Sequence, residues 1–373
     1  MPSHSGKGRG LYASASYDVT ELSFSDDLKA PTGVILAAET LAAEAYGAEK
    51  TLFFAGGATD AVQTALWSLR ERRFAYLGDM HVSFYSAARL FSLDYVRAAS
   101  LTELDGETFD VLCVTSPNYY GETADVEGIA AYAAKRGARL LVDEAHGAHF
   151  AFSTRLPESA VKYADYVVHG MHKTLPVYTG GALLHVRDRD YEAVKAARAT
   201  VIGTSPSYLV MSSMDYARDL FQRKGEEMYA RVLDTITRVR EKYPSVEVLP
   251  NDDKTRVVIV SKGGGKALAA YLERYGIFAE ASDADKVTFI VTPYNVRYLG
   301  KAFRLAAAFR GENAACEDLS DLVGKVSAYD VGVYPPGVPI VLAGEVFTEG
   351  SVRVLSENSD RLFGTVNGKI VTK

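Results

Sequence analysis

The chain has 373 residues, of which 48% are hydrophobic, and it carries a formal net charge of −6 at pH 7. This length predicts one large domain and a smaller one, and the interspersed acidic and basic residues exclude an extended basic surface for nucleic acid. Because no apolar run is long enough to span a bilayer, and the N-terminus lacks the apolar core of a signal peptide, we expect a soluble cytoplasmic protein that does not bind membranes. Cys113 and Cys316 lie within or near apolar segments, which favours buried thiols over a disulfide framework.

The first two thirds of the chain predict an α/β domain. Residues 1–33 are rich in Gly, Ser and Asp and predict an irregular N-terminal arm. Short apolar strands then alternate with helical stretches, and several strands are apolar at consecutive positions, as expected for a mostly parallel sheet covered on both faces. The strand candidates are Leu52–Ala55, Phe74–Leu77, Asp110–Thr115, Arg139–Asp143, Asp165–His169 and Ala182–Val186.

The remainder predicts a smaller α/β domain. Residues 206–242 have apolar positions at helical spacing and read as one or two long helices. Beyond them, the apolar runs Val257–Ser261, Ile277–Ala279 and Thr288–Val291 alternate with further helices, and Ile340–Leu342 predicts a last strand. We therefore divide the chain into the arm, a large domain over residues 34–220 and a small domain over residues 221–373.

Two residues that each follow a predicted strand carry the most informative chemistry. Asp143 begins the stretch Asp-Glu-Ala-His-Gly, and Lys173 follows it 30 residues later in His-Lys-Thr. The carboxyl ends of parallel strands meet at one edge of a sheet, so both side chains can face one cleft. A lysine amine that forms a Schiff base and a carboxylate that keeps a pyridine nitrogen protonated are what pyridoxal phosphate (PLP) requires. From the spacing alone, a solvated surface lysine is the more common interpretation.

Other motifs leave alternatives open. The segment from Gly57 through Ala58 and Thr59 follows a strand and opens a helix, which is typical of a phosphate site and equally of an ordinary helix cap. His81 opens the helix after another strand, where its ring could lie over a flat cofactor or simply cap the helix. The four histidines His146, His149, His169 and His172 could be taken for a metal cluster, but no HExxH motif or cysteine pair accompanies them, and we predict no metal.

Taken together, these motifs resemble the major domain of the ornithine/lysine/arginine decarboxylases, which are fold-type-I PLP-dependent enzymes. The resemblance covers most of residues 2–220 and returns at 334–345. Its most specific carriers are His172 to Pro176 and Thr204 to Leu209. The others are Pro2 to His4, Gly6, Gly8, Asp18 to Leu22, Asp26 to Leu28, Ala45 to Gly47, Ser116 to Gly121 and Val142 to Phe150.

This resemblance implies a role for each matched residue. Lys173 would hold PLP as a Schiff base, Asp143 would pair with the pyridine nitrogen, and His81 would stack on the ring. His146 and His172 would lie beside the cofactor. Thr59 would be the retained side chain of the phosphate cup, which also contains Gly57, Ala58 and Gly170. The resemblance further implies a homodimer with the active site at the subunit interface.

The chain departs from the family pattern at the phosphate cup. Relatives usually have hydroxyl side chains where this chain has Ala58, Asp60 and Gly170, and a basic residue in place of Val82. The function that the resemblance implies is an amino acid decarboxylase, with a basic amino acid as the candidate substrate. Transamination and oxidative deamination use the same cofactor and stay open, and the altered cup motivates a third alternative, a non-catalytic paralogue that keeps the fold.

Overall fold

In the computed structural model, residues 15–262, 264–311, 318–366 and 368–373 are described. The segment Pro2 to Gly8 and Cys316, which the sequence analysis singled out, lie outside the described residues. The chain divides into two compact units. The first contains the residues up to Asp79, Ser83–Asn118 and Glu122–Tyr229, and the second contains Met80–Val82, Tyr119–Gly121 and Ala230–Lys373.

A seven-stranded sheet is the centre of the first unit. Its strands are, in chain order, β1 (Lys50–Phe54), β2 (Phe74–Leu77), β3 (Tyr95–Ala98), β4 (Val111–Thr115), β5 (Arg139–Asp143), β6 (Tyr166–His169) and β7 (Ala182–Val186). They lie in the order β1-β7-β6-β5-β4-β2-β3. The pairs β2–β3, β2–β4, β4–β5 and β5–β6 are parallel, whereas β7 runs antiparallel to both β6 and β1. The prediction of a mostly parallel α/β sheet is therefore confirmed.

Helices connect these strands. They are α1 (Val34–Tyr46), α2 (Ala58–Ser68), α3 (Val82–Phe91), α4 (Val126–Lys135), the single turn α5 (Met171–Thr174) and α6 (Tyr191–Val201). Apart from the edge strand β3, the strands are buried almost completely, and the four residues of β2 and of β6 are all buried. This burial explains why their sequences are continuous apolar runs without alternation.

One helix of 35 residues, α7 (Tyr208–Lys242), follows the sheet. The sequence left open whether this segment forms one helix or two, and Gly225 near its middle would be the natural break. Gly225 instead permits a close approach, because a Cβ atom placed there would lie 2.7 Å from the Cβ of Phe152. The glycine thus serves packing within the first unit and does not interrupt the helix.

The described residues of the second unit form three small antiparallel sheets. The first is formed by β8 (Arg256–Val260), β9 (Ala281–Ser282) and β10 (Lys286–Ile290). Helix α8 (Gly265–Glu273) connects β8 to β9, and α9 (Leu299–Ala308) follows β10. The others use β11 (Val331–Val333), β12 (Val338–Val341), β13 (Leu362–Phe363), β14 (Thr365–Val366) and β15 (Lys369–Ile370), and α10 is Glu349–Glu357. Among the helices of the described residues, none is both long and apolar enough to cross a membrane.

The strand predicted at Ile277–Ala279 is wrong. Those residues close the end of α8, because the backbone N–H of Ile277 donates to the carbonyl of Leu272 at 3.1 Å and Gly276 adopts a positive φ of 72°. β10 pairs with β8 on one side, and on its other side it pairs with the two-residue β9, Ala281–Ser282.

Candidate active site

Lys173 stands on α5, the single helical turn that follows β6. Its Nζ atom lies 3.1 Å from Nε2 of His146, which belongs to the connection after β5. The two connections are joined directly, since the backbone N–H of Gly170 donates to the carbonyl of Ala145 at 3.1 Å. A Cβ atom at Gly170 would lie 2.9 Å from that carbonyl oxygen and 3.2 Å from Cδ of Lys173. Glycine at this position therefore leaves room for the stem of the lysine.

Asp143 is the last residue of β5 and is buried. Its Oδ1 atom accepts a hydrogen bond from the backbone N–H of Ala145 at 3.1 Å. In the parallel register, Asp143 lies beside Thr115 on β4 and Val168 on β6, so it stands at the middle of the sheet edge. A buried carboxylate at such a position requires a cationic or hydrogen-bonding partner. The sheet thus brings Asp143 to the same edge as the connection that carries Lys173.

His172 and the start of α2 are bonded to two adjacent glycines, Gly181 and Gly180. Its Nδ1 atom lies 3.0 Å from the carbonyl oxygen of Gly181. That contact requires Nδ1 to carry the proton, which leaves Nε2 of the neutral ring as an acceptor. The neighbouring carbonyl of Gly180 accepts from the backbone N–H of Gly57 at 2.7 Å. The start of α2 and the turn that carries Lys173 are therefore bonded to adjacent peptide groups.

The predicted phosphate cup is the start of α2. The helix begins at Ala58 after Gly57, and no side chain caps it, so the cap interpretation of Thr59 is not observed. Thr59 is exposed, and a Cβ atom on Gly57 would meet nothing within 4 Å. Asp60 departs from an ordinary cup: its carboxylate folds back over Gly56, where an added Cβ atom would lie 2.7 Å from Asp60 Cγ. Burial raises the pKa of the Asp60 carboxyl.

His81 stands between β2 and α3 and is grouped with the second unit. Within that unit it lies against Gly337, where a Cβ atom would be 2.8 Å from the ring Nε2 of His81. The next residue, Val82, donates its backbone N–H to the carbonyl of Gly337 at 2.7 Å. The turn at Tyr334 to Gly337 thus holds the backbone directly after the histidine and packs against its ring.

A buried hydrogen-bond chain lies behind this edge, and the sequence analysis did not identify it. Glu144 accepts from the backbone N–H of Ala160 at 2.9 Å, and its Oε2 lies 2.6 Å from Nε2 of His169. His169 Nδ1 lies 3.0 Å from Nε2 of His185, whose Nδ1 lies 2.8 Å from the hydroxyl of Thr51. We call these four residues, Glu144, His169, His185 and Thr51, the buried chain.

Burial sets the protonation of the buried chain. It raises the pKa of the Glu144 carboxyl to about 8 and lowers the pKa of His169 to about 3, and it lowers the pKa of His185 well below its ordinary value. At neutral pH the carboxyl is therefore protonated and both imidazoles are neutral, so the chain carries no net charge. The ring of Tyr46 packs against both histidines, with centroid distances of 5.1 and 4.8 Å.

The four histidines considered as a metal cluster make separate contacts. His146 contacts Lys173, His172 contacts Gly181 and His169 belongs to the buried chain. His149 is buried, and its ring packs against Phe150 at 4.8 Å and Tyr229 at 5.4 Å. No group of three or more potential metal ligands occurs in the part of the chain that the structure describes.

The sheet order, the edge position of Asp143 and the lysine turn after β6 define the class of the protein as a fold-type-I PLP-dependent enzyme. Solved structures agree. The constitutive lysine decarboxylase of E. coli superimposes with a TM-score of 0.76 at 16% identity, covering 95% of this chain and 74% of that one. An SPT structure with its PLP internal aldimine gives a TM-score of 0.58 at 19% identity, covering 73% and 75%.

Sequence comparison gives the family. Residues 78–262 match the Orn/Lys/Arg decarboxylase major domain, and residues 301–356 match the C-terminal domain of the same family. The chain is 30% identical to the uncharacterized protein YaaO of Bacillus subtilis over 91% of this chain and 85% of that protein. It is 26% identical to the arginine decarboxylase of the same organism, over 92% and 85%. The chain belongs to the Orn/Lys/Arg decarboxylase family.

The predictions of the family, of PLP as the cofactor and of a PLP-dependent decarboxylase are thus confirmed. The site fits PLP at its ring and aldehyde end, because Lys173 supplies an amine and Asp143 a buried carboxylate at one sheet edge. The backbone at the start of α2 fits a phosphate, since the first N–H groups of a helix lack intrahelical partners. The carboxylate of Asp60 is the one feature there that opposes an anion.

Proposed function

We propose that this chain is a PLP-dependent decarboxylase of a basic amino acid and that Lys173 is the residue to which the cofactor is attached. The observation that carries the proposal is the contact of 3.1 Å between Lys173 Nζ and His146 Nε2 at the edge where the buried Asp143 ends β5. The basic substrate is supported by the names of the relatives, which include an arginine decarboxylase over most of this chain.

The bound cofactor would supply an electron sink, which allows the bond between the α-carbon and the substrate carboxylate to break with loss of CO₂. Asp143 would keep the ring nitrogen protonated, since a carboxyl group at a buried position favours a cationic neighbour. The hydrogen bond from Ala145 N–H to Oδ1 orients that carboxylate. Asp143 thus maintains the positive charge on which the electron sink depends.

Lys173 and His146 would share the proton transfers. In its neutral form, Nε2 of His146 can accept an N–H of Lys173, which orients the amine toward the sheet edge. Nζ of Lys173 would return a proton to the α-carbon of the substrate after CO₂ has left. The ring of His172 would line the site in one fixed orientation, because its Nδ1 is hydrogen-bonded to the carbonyl oxygen of Gly181.

The remaining assignments are also proposals. On the family resemblance, His81 would stack on the cofactor ring, and Thr59, with the backbone from Gly57 to Ala58, would contact the phosphate. A homodimer is supported by the same resemblance and by the exposed apolar residues Val34 and Leu41 on α1. Light scattering on purified protein tests the dimer. The cytoplasmic location stays a prediction.

The test of the proposed function is the visible absorbance of purified protein incubated with PLP. We expect the band of lysine-bound cofactor in the wild type and its loss in Lys173→Ala. Lys162→Ala is the matched control, because Lys162 lies on the surface, 2.8 Å from Glu158, in the same unit. A band that persists in Lys173→Ala would refute the attachment residue.

A second measurement tests the reaction. CO₂ release would be followed with arginine, lysine and ornithine as substrates, in protein already shown to bind the cofactor. Release from at least one of them, absent in Lys173→Ala, is the expected result. Cofactor binding without CO₂ release, and with transfer or oxidation of the amino group instead, would assign the protein to another PLP reaction.

A further inference from the structure

Asp60 is the third residue of α2, and it places a negative group at the helix end that faces the predicted phosphate. Its carboxylate folds back over Gly56, the residue directly before the cap residue Gly57. The positive end of a helix dipole attracts anions. The chain therefore supplies its own carboxylate at a place where a cofactor phosphate would otherwise be the only anion.

Other side chains of the described residues do not neutralise this carboxylate. No hydrogen bond or ion pair to the Asp60 side chain occurs in the part of the chain that the structure describes. The loop at Gly56 and Gly57 contains no titratable side chain, and the turn at Gly180 and Gly181 carries only the exposed phenol of Tyr178. Burial is the only cause of the raised pKa of Asp60.

Neighbouring elements do carry charged or titratable groups. The strands β1, β6 and β7, which pack on α2, contribute Lys50, paired with Asp188, and the two histidines of the buried chain. The turn α5 contributes His172 and Lys173, whose contacts are with Gly181 and His146. Helix α6 packs on α2, and its buried Arg198 is already paired with Glu39 of α1. The cations near this end of α2 are thus engaged elsewhere.

We propose that Asp60 contacts the phosphate of PLP and takes up one proton from solvent when the phosphate binds. Two anions a few Å apart repel each other, and such pairs respond by holding a proton. The protonated carboxyl then donates its O–H to a phosphate oxygen, which is the task of the hydroxyl side chain that relatives place there. Phosphate binding at this site consequently weakens as the pH rises.

This inference rests on the proposed binding of PLP at this edge, and the experiment separates the two. Dissociation constants for PLP and for pyridoxal, which lacks the phosphate, would be measured by absorbance titration of the wild type, Asp60→Asn and Asp60→Ser between pH 5.5 and 8.5. The ratio of the pyridoxal constant to the PLP constant isolates the contribution of the phosphate. Effects of pH on the bond to Lys173 are common to both ligands and cancel in this ratio.

In the wild type we expect the ratio to fall with increasing pH, by up to about tenfold per pH unit, because one proton is coupled to phosphate binding. In Asp60→Asn and Asp60→Ser it should not fall. At pH 8.5 both variants should bind PLP about tenfold to a hundredfold more tightly than the wild type, with the pyridoxal constant unchanged. The second ionisation of PLP itself, with a pKa of about 6, acts in the opposite direction and equally in all proteins.

Glu127→Gln is the matched control, since Glu127 is an exposed carboxylate in the first turn of α4 of the same unit. It should reproduce the wild-type ratio at every pH. A ratio that has the same pH dependence in the wild type and in both Asp60 variants would overturn the role of Asp60 while leaving cofactor binding intact. Failure of all proteins to bind either ligand would overturn both this inference and the proposed function.

Discussion

The Glu144→Gln substitution changes the charge state of the buried chain while preserving its shape. In the wild type, Glu144 accepts from Ala160 N–H and contacts Nε2 of His169, and burial raises the pKa of its carboxyl to about 8. In the wild type the hydroxyl of Ser159 also donates to Oε2 of Glu144. An amide fits the same positions, because its oxygen can accept from Ala160 and its NH₂ group can donate to His169 and to the hydroxyl oxygen of Ser159. The variant therefore imitates the protonated form of Glu144 at every pH.

The magnitude follows from the pKa of Glu144 in the two states. A carboxyl whose pKa is raised by folding contributes stability below its unfolded value of 4.5, and that contribution is lost as the pH rises through the folded value of about 8. Each pH unit of this interval corresponds to about 1.4 kcal/mol, so the full loss is at most about 5 kcal/mol. Local relaxation around the buried charge reduces it, and we expect about 2–4 kcal/mol.

The assay is urea-induced unfolding of the wild type and Glu144→Gln at pH 5.5 and pH 9. We expect the variant to be more stable by at most about 1.4 kcal/mol at pH 5.5, one pH unit into this interval, and by the larger amount at pH 9. His169 and His185 act in the opposite direction, because their lowered pKa values cost stability as the pH falls below 6.5, but this contribution is common to both proteins. Glu158→Gln, at an exposed carboxylate, serves as the control. Equal stabilities at pH 9 would refute a protonated Glu144.

Two further substitutions test the packing around the site. Arg198→Met should lower the free energy of unfolding by about 3–5 kcal/mol, because it leaves the buried carboxylate of Glu39 without its cation. The double variant Glu39→Leu/Arg198→Met should recover most of this loss. Chemical denaturation of both variants measures the difference. A single variant as stable as the wild type would contradict the buried pair. Gly170→Ala should destabilise by about 1–3 kcal/mol and weaken PLP binding, because its Cβ would lie 2.9 Å from the carbonyl of Ala145. Gly203→Ala, where a Cβ meets nothing within 4 Å, should leave both thermal unfolding and PLP binding unchanged.

The sequence predicted the strands of the large sheet well where both faces are covered. The bounds of β2, β5 and β7 coincide with the predicted ones, because a strand buried on both faces is an uninterrupted apolar run with clear ends. The apolar triplet Ile277–Ala279 also looked like a buried strand in the sequence, but its residues are apolar for a different reason. Ile277 packs at the end of α8, and Phe278 is exposed. Composition alone does not distinguish a helix end from a short edge strand.

The edge residues of the site could be predicted and the buried chain could not. Asp143 and Lys173 each follow a strand, so the rule for parallel sheets was sufficient to bring them to one edge. The contact between His185 and Thr51 depends on β7 running antiparallel between β6 and β1, where Thr51 lies opposite His185. The order of the strands along the chain does not predict that β7 lies between β6 and β1 in the sheet. A histidine within an apolar strand also has no sequence signal that identifies its partners.

The buried chain matters for the chemistry because Glu144 directly follows Asp143. Side chains of consecutive residues leave a strand end on opposite sides, and here one carboxyl stands at the sheet edge while the other is bonded within the core. If both were ionised, the second negative charge would compete with Asp143 for the proton of the cofactor ring. Burial holds Glu144 protonated, so that, in the proposed site, Asp143 would be the carboxyl group that the ring nitrogen meets. Sequence neighbours of the same chemical type thereby acquire different tasks from burial alone.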